Sequence, residues 1–215
     1  SGHSMGGHGT WHLSPNDGDV FSAIAPSAGW RSFDTYGGRP EGALRALWHA
    51  ADAASSTESL LVNLAQPSVY VLHGEADDNV PAAEGHAMVA ALEEAGASRV
   101  QSHFEPGAGH WWDDQDPATG AGCLDWAPFF ELFRKHEPTG EVGGIKWVSV
   151  DPGIDAEHHW ARVEQPLRYG EPFRVSGGGG EGAKRWVLAT ENVRRLALTS
   201  LPISVEQRIS TPSAW

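Results

Sequence analysis

What the chain lacks narrows its class before any motif is read. It has a single cysteine, Cys123, in 215 residues, so no intrachain disulfide can staple it and its core must come from packing. One cysteine neither supports nor excludes an oxidising compartment. No apolar run approaches the roughly 20 residues that a membrane-spanning helix needs. Positive charge is scarce: 15 Lys and Arg stand against 28 Asp and Glu, a formal net charge of −13. Nucleic acid and anionic membrane surfaces both need a basic face, so neither is expected as the main partner. Tryptophan, by contrast, occurs ten times, which favours aromatic-lined surfaces or grooves. With 40% hydrophobic and 20% charged residues the chain is globular material.

The organising stretch is the first one, Ser1-Gly2-His3-Ser4-Met5-Gly6-Gly7. Gly2-x-Ser4-x-Gly6 fits the nucleophile elbow, a sharp strand-to-helix turn that lifts a serine hydroxyl out of the backbone. Glycines are expected on either side because the turn is strained and neighbouring backbone comes too close for a Cβ. Met5 then opens a helix, with its N–H facing the oxygen of a substrate carbonyl. An elbow follows a strand, and only Ser1 precedes this one. The expectation is a chain that enters its domain at the elbow, with earlier strands, the second oxyanion-hole donor and any signal peptide upstream. Residues 1–215 alone are then expected to be poorly soluble and inactive, with an unpaired sheet edge at the strand after Phe21. Localisation stays open, a secreted or periplasmic site among the options.

In order, the pattern predicts a helix over 5–13 ending at Ser14-Pro15-Asn16-Asp17-Gly18, then in Val20-Phe21-Ser22-Ala23-Ile24-Ala25-Pro26 a short helical turn leading into a buried strand, closed by Ser27-Ala28-Gly29. Residues 41–54 read as a helix or a covering insertion, and Leu60, Leu61 and Leu64 sit at helical spacing before Pro67. Val69-Tyr70-Val71-Leu72 is a buried parallel strand; a helix starts at Pro81 and stops at Gly96; Arg99–Phe104 is the next strand. Cys123–His136 reads as an amphipathic helix presenting Leu124, Trp126, Phe129, Phe130 and Phe133, stopped by Pro138. Strand–helix alternation of this kind makes an open parallel α/β sheet. Beyond about residue 140 the texture turns to short strands (145–150, 173–176, 185–190, 193–198), with Gly177–Gly180 and Gly182 as a flexible hairpin tip. The reading is an α/β chain of two units: 1–138, part of a catalytic domain, and 139–215, a β-rich unit that continues past Trp215.

Ser4, then an acid, then a histidine follow in the order used on this fold class. Asp77, with Asp78 beside it, lies in His73-Gly-Glu-Ala-Asp-Asp-Asn-Val-Pro81 after one buried strand; His110 lies in Pro106-Gly-Ala-Gly-His-Trp-Trp112 after the next. The chemistry needs all three, because a serine hydroxyl is barely nucleophilic until an imidazole takes its proton. That imidazole must be held in one tautomer by a carboxylate. Loops at the carboxyl ends of adjacent parallel strands converge on one sheet edge. Asn79 and Trp111 are the candidate substrate contacts, Trp111 together with Trp112 by aromatic stacking.

Gly2-His3-Ser4-Met5-Gly6-Gly7, His73-Gly74-x-x-Asp77-Asp78-Asn79-Val80 and Gly107-x-Gly109-His110-Trp111-Trp112 resemble the prolyl oligopeptidase family of α/β-hydrolases. They also resemble its bacterial esterase relatives of the polyhydroxybutyrate-depolymerase and feruloyl-esterase type. The resemblance covers residues 1 to about 137 and corresponds to the C-terminal half of the hydrolase fold. It implies Ser4 as nucleophile, Asp77 rather than Asp78 as orienting acid, His110 as base and the Met5 N–H in the oxyanion hole. It further implies a peptide or ester substrate; no cofactor and no metal are expected.

Plainer readings stand beside these. Ser4 could merely cap a helix, and Asp78 or Asn79 could cap the helix at Pro81. His86 and His103 are packing histidines by default. His8 and His12 have the i, i+4 spacing of a zinc pair but no third ligand at a suitable spacing. His158-His159-Trp160 reads as a surface or strand-edge cluster. The rival functions are an esterase of depolymerase type, a noncatalytic scaffold whose β-rich tail binds a partner or polysaccharide, and an N-terminal nucleophile at Ser1. The last needs stacked antiparallel sheets that the alternation does not supply.

Overall fold

The structure is a computed structural model that describes residues 1–38, 40–113, 122–136, 143–179 and 186–199. It divides into two compact units, Ser1–Thr139 and Gly140–Trp215. The first holds five parallel segments: β1 (Gly2–His3), β2 (Ala23–Ile24), β3 (Pro26–Ser27), β4 (Ser68–Gly74) and β5 (Val100–Glu105). Its α-helices are α1 (Met5–Asn16), α2 (Arg45–Asp52), α3 (Ala82–Glu94) and α4 (Ala127–Lys135).

β4 is buried along its whole length, as a β-branched and aromatic run flanked on both sides should be. Its alternation serves two cores. Val69 and Val71 pack with Trp11, Ile24, Leu61, Leu64, Met88 and Leu92, while Tyr70 and Leu72 face Ala25, Phe129 and Leu132. The sheet thus has α1, α3 and the 57–64 segment on one face and α4 on the other. Each fully buried aliphatic side chain contributes about 1.5–3 kcal/mol. β5 runs parallel beside β4 in the register Val69↔Val100 to Gly74↔Glu105. On the opposite side β2 and β3 pair with β4, and β1 pairs with β3 at Gly2↔Pro26 and His3↔Ser27. After Phe21 the chain forms β2, which pairs with β4 alone, and then β3, which lies between β4 and β1.

α1 runs three residues beyond the expected stop, with Pro15 inside its last turn. A proline there has no N–H for the carbonyl of Trp11, four residues back. The Thr57 hydroxyl replaces it, donating to the Trp11 carbonyl at 3.1 Å. Two turns on, the Asn63 amide donates to the Pro15 carbonyl at 2.8 Å. Thr57–Leu64 is a 3₁₀ helix, whose three-residue turn puts Thr57, Leu60 and Asn63 on one face. α3 starts with Pro81 as its N-cap, so neither Asp78 nor Asn79 caps it, and Gly96 follows at φ +86°. α4 begins only at Ala127. Pro128 belongs in a first turn, and a helix begun at Cys123 would have it lacking a donor in the interior. Phe129 and Leu132 are the residues that α4 buries; Leu124 and Phe130, expected on its apolar face, are 66% and 45% exposed.

The second unit holds β6 (Gly144–Ser149), β7 (Glu157–His158), β8 (Ala161–Pro166), β9 (Phe173–Gly178), β10 (Val187–Glu191) and β11 (Val193–Leu198). They form two antiparallel three-stranded sheets, β10-β9-β6 and β11-β8-β7. Ile145, Trp147, Trp160, Ala161, Val163, Phe173 and Val175 from both sheets share one core. β7 and β8 go beyond the strands read from sequence. His158 and Trp160 are buried rather than superficial: His158 stacks on Trp147 at 5.7 Å and Trp160 meets Trp186 edge-on at 4.9 Å. Gly177 and Gly178 are ladder residues of β9 and not a hairpin tip; Gly180, Gly182, Arg185 and Pro138 lie outside the described residues. Asn192, at φ +56°, is the single residue between β10 and β11. Its amide donates to the carbonyls of Arg168, Glu171 and Pro172. No described helix is long and apolar enough to cross a membrane.

The Pro15 repair gives a direct test. Thr57→Val keeps the side-chain shape and removes the donor from a buried carbonyl, so the first unit should lose about 1–3 kcal/mol of stability. Thr57→Ser should retain most of it, as read by urea unfolding monitored at tryptophan.

Candidate active site

Ser4 sits between β1 and α1 at φ +58°, ψ −117°, a left-handed conformation that a non-glycine residue holds at a cost of about 1–3 kcal/mol. The turn is fastened on both sides: the Ser4 N–H donates to the Ser27 carbonyl at 2.9 Å, and the Ser4 carbonyl accepts from the His8 N–H at 3.0 Å. A Cβ on Gly2 would stand 2.4 Å from the Gly6 carbonyl oxygen, and one on Gly7 would stand 2.2 Å from the Ser27 carbonyl oxygen. A Cβ on Gly6 would enter open space, so the second crowded position is Gly7, one residue later than expected. α1 has neither an acidic residue in its first turn nor a side-chain cap. Its first N–H groups, Met5 included, have no intrahelical acceptor, and its positive dipole end is uncompensated. The Met5 side chain is 75% exposed.

Asp77 lies in the loop after β4 and His110 in the loop after β5. Backbone bonds tie these loops together, from Glu75 N–H to the Glu105 carbonyl and from Ala76 N–H to the Ala108 carbonyl, each at 2.9 Å. Across this junction His110 Nδ1 lies 2.8 Å from Asp77 Oδ2, and His110 Nε2 lies 2.9 Å from Ser4 Oγ. A carboxylate oxygen accepts, so Nδ1 carries the ring hydrogen. Nε2 is left as the acceptor for the serine hydroxyl. The Asp77 carboxylate has no exposed surface; its Oδ1 accepts the N–H groups of Asn79 at 2.9 Å and Val80 at 2.8 Å. Asp78 is exposed and takes no part.

Of the two candidate substrate contacts, Trp111 is 63% exposed, with its ring 5.3 Å from that of His110 and 4.3 Å from that of His3. Asn79 is exposed and accepts the Tyr36 hydroxyl on Oδ1 at 3.1 Å. Tyr36 stacks on Trp30 at 4.5 Å and Trp30 on His8 at 4.6 Å, so aromatic rings run from α1 to the Asp77 loop. The His8 Nδ1–H donates to the Trp30 carbonyl at 2.9 Å. Among the described residues no group of three or more His, Cys, Asp or Glu is placed to hold a metal ion. His86 stacks on Phe104 at 3.7 Å and His103 on Trp126 at 4.5 Å.

Three features escaped the sequence reading. The loop after β3 is clamped to α3 by Glu84, whose Oε2 accepts from Arg31 N–H, Arg31 Nε–H and Thr35 Oγ1–H at 3.0, 3.2 and 2.9 Å. No spacing rule joins residues from such separate segments. His3 Nδ1 bonds Ser27 Oγ at 2.8 Å, across the β1–β3 pairing. The fixed positions of the elbow pattern passed over it as a variable residue. His73 is buried and reaches the Asp77 carboxylate; the His-Gly of its motif was the available signal.

Burial, with the neighbouring His110 adding to it, pushes the His3 imidazole down from 6.5 to about 4. The folded chain therefore favours neutral His3, while the unfolded chain protonates it below 6.5. Unfolded chains bind more protons between these limits, so this group's contribution is fully present above 6.5 and is lost as pH falls towards 4. His3→Asn, which keeps a donor near Nδ1 and does not titrate, should reduce the loss of stability on acidification from pH 6.5 to 4 in urea titrations.

The sequence profile of the prolyl oligopeptidase family matches residues 1–127. A curated secreted protein of Arthroderma benhamiae, itself uncharacterized, is 33% identical over 230 residues, covering 94% of this chain and 22% of its own length. The chain thus spans about a fifth of that relative. Among solved structures, a Bacteroides ovatus protein assigned as dipeptidyl aminopeptidase IV is similar with TM-score 0.49 and 16% identity, over 63% of this chain and 19% of its own. The Pyrococcus horikoshii acylaminoacyl peptidase gives 0.42 and 16% over 66% of this chain and 24% of its own. A PHB depolymerase bound to an R3HB trimer gives 0.41 and 17% over 81% and 61%. With the profile matched from the elbow through the loop that carries His110, this chain belongs to the prolyl oligopeptidase family of α/β-hydrolases.

Proposed function

We propose that Ser4, Asp77 and His110 are the nucleophile, orienting acid and general base of a serine hydrolase that cleaves peptide or ester bonds through an acyl-enzyme. The observation that carries the reading is the unbroken line from Ser4 Oγ through both ring nitrogens of His110, 2.9 and 2.8 Å long in its two links, to a carboxylate with no exposed surface. In the forward step Ser4 Oγ attacks the substrate carbonyl carbon as its proton passes to His110 Nε2. The imidazolium so formed keeps its Nδ1–H on Asp77 Oδ2. The negative charge developing on the carbonyl oxygen meets the Met5 N–H at the bare N-terminus of α1. His110 then gives its proton to the leaving amine or alcohol. Water, deprotonated by the same Nε2, releases the acyl group and restores Ser4.

Trp111 and Asn79 flank the line on the two loops and are the proposed substrate contacts, one by stacking and one through its amide. Family membership favours a peptide substrate, and an ester is the second choice. Residues 1–138 are proposed as the hydrolase part and the β-rich unit as an appendage to it. The reading calls for no cofactor.

Activity-based labelling with a fluorophosphonate tests it in the full-length protein. Ser4→Ala should abolish labelling and lower kcat by about 10⁶-fold, and Asp77→Asn should lower kcat by about 10⁴-fold with little change in KM. Labelling that survives Ser4→Ala would sink the proposal. Turnover of proline-containing peptides against p-nitrophenyl esters separates the two substrate classes.

A further inference from the structure

His73, the last but one residue of β4, is buried to 1% and has no part in the proton path. Its Nε2 lies 2.9 Å from the Val80 carbonyl oxygen and 3.3 Å from Asp77 Oδ2. A carbonyl only accepts, so Nε2 must carry the ring hydrogen. That hydrogen is shared between the two oxygens. Burial lowers the pKa of this imidazole and keeps the ring neutral, with one hydrogen to give and no competing charge beside the acid. Asp77 is then gripped from both sides: Oδ1 by the N–H groups of Asn79 and Val80, Oδ2 by His110 and His73.

The packing around the ring leaves it little choice of position. A Cβ on Gly85 of α3 would stand 2.9 Å from His73 Nδ1 and 3.0 Å from Phe104 Cε1, and Phe104 stacks parallel to His73 with centroids 6.5 Å apart. The ring is thus fixed by β5 and α3, while its Nε2 edge meets a loop. A carboxylate on a short stem at the tip of a loop can rotate about two bonds. Its rotamer must come from whatever donors surround it.

We propose that His73 is a positioning residue for the proposed reaction: through one N–H shared by Val80 and Asp77, it locks the 77–80 loop to the strand and turns Oδ2 towards His110. The inference rests on the Ser4–His110–Asp77 reading, since it assigns the source of the acid's orientation. Without this donor the carboxylate is free to leave the line, and a displacement near 1 Å at a reacting constellation costs up to about 100-fold in rate.

The experiment compares His73→Phe, His73→Gln and Gly85→Ala in the full-length protein, by kcat and KM on a p-nitrophenyl ester and by thermal unfolding. Phenylalanine keeps the planar bulk and removes the donor; glutamine restores an N–H near the position of Nε2. His73→Phe should lower kcat roughly 10- to 100-fold with KM within about twofold, and His73→Gln should recover most of that loss. Gly85→Ala displaces the ring from behind and should lower kcat in the same sense, which keeps the proposal open to refutation if His73→Phe does not fold. An unchanged kcat in folded His73→Phe or in Gly85→Ala would overturn it. So would equal losses in His73→Phe and His73→Gln, which mark simple packing. A Ser4→Ala control separates the readings: activity that survives it refutes the nucleophile, whereas activity lost there but unaffected at His73 refutes the clamp alone.

Discussion

β4 is the constraint to which the rest of the first unit is referred. It is buried on both faces and paired on both edges, so its residues alternate between two cores and its end points in one direction only. Its last turn of chain delivers His73 inward and the Asp77 loop outward. Its neighbour β5 delivers the His110 loop beside it. On the other edge β3 receives the elbow, through the Ser4 N–H on the Ser27 carbonyl. Parallel pairing brings all three carboxyl-terminal loops to one rim, which is why residues 4, 77 and 110 meet.

The rim is held by polar contacts as much as by apolar packing. Asp77 has a donor on every side, Glu84 gathers three donors from the loop after β3, and His3 ties β1 to β3 through Ser27. Buried acceptors of this kind are costly when left bare, and each is satisfied here by a group from a different segment. The same rule explains Pro15 at the end of α1, where Thr57 supplies a hydrogen that the proline lacks. Rigidity at the rim thus comes from many small repairs between segments. Electrostatic preorganisation needs such rigidity, since donors that must reorient during the reaction lose much of their worth.

The second unit follows different rules. Its two antiparallel sheets close over a core of Trp147, Trp160, Phe173 and their neighbours. A chain that changes sheets across the single residue Asn192 needs the positive φ that this asparagine adopts. The β8 strand alternates buried and exposed residues, yet its sequence Ala-Arg-Val-Glu-Gln-Pro has only small or single apolar residues to announce it. The histidines and tryptophan before it resemble a surface cluster until Trp147 and Trp186 are placed beside them.

By itself the sequence determined the α/β class, the strand–helix alternation of the first unit, and Ser4, Asp77 and His110 as the residues to watch. Those are local matters: a strained turn needs glycine, a buried strand needs a β-branched run, and the loop after a strand bears its polar residues in order. Asp77 could be told from Asp78 only by resemblance, because both sit in the same turn. Tertiary structure alone decided that Asp77 faces inward to His110, that Gly7 rather than Gly6 is crowded, and that His3, Thr57 and Glu84 bond across separate segments. Each depends on a partner distant along the chain, and a one-dimensional pattern carries no information about which distant group arrives within 3 Å.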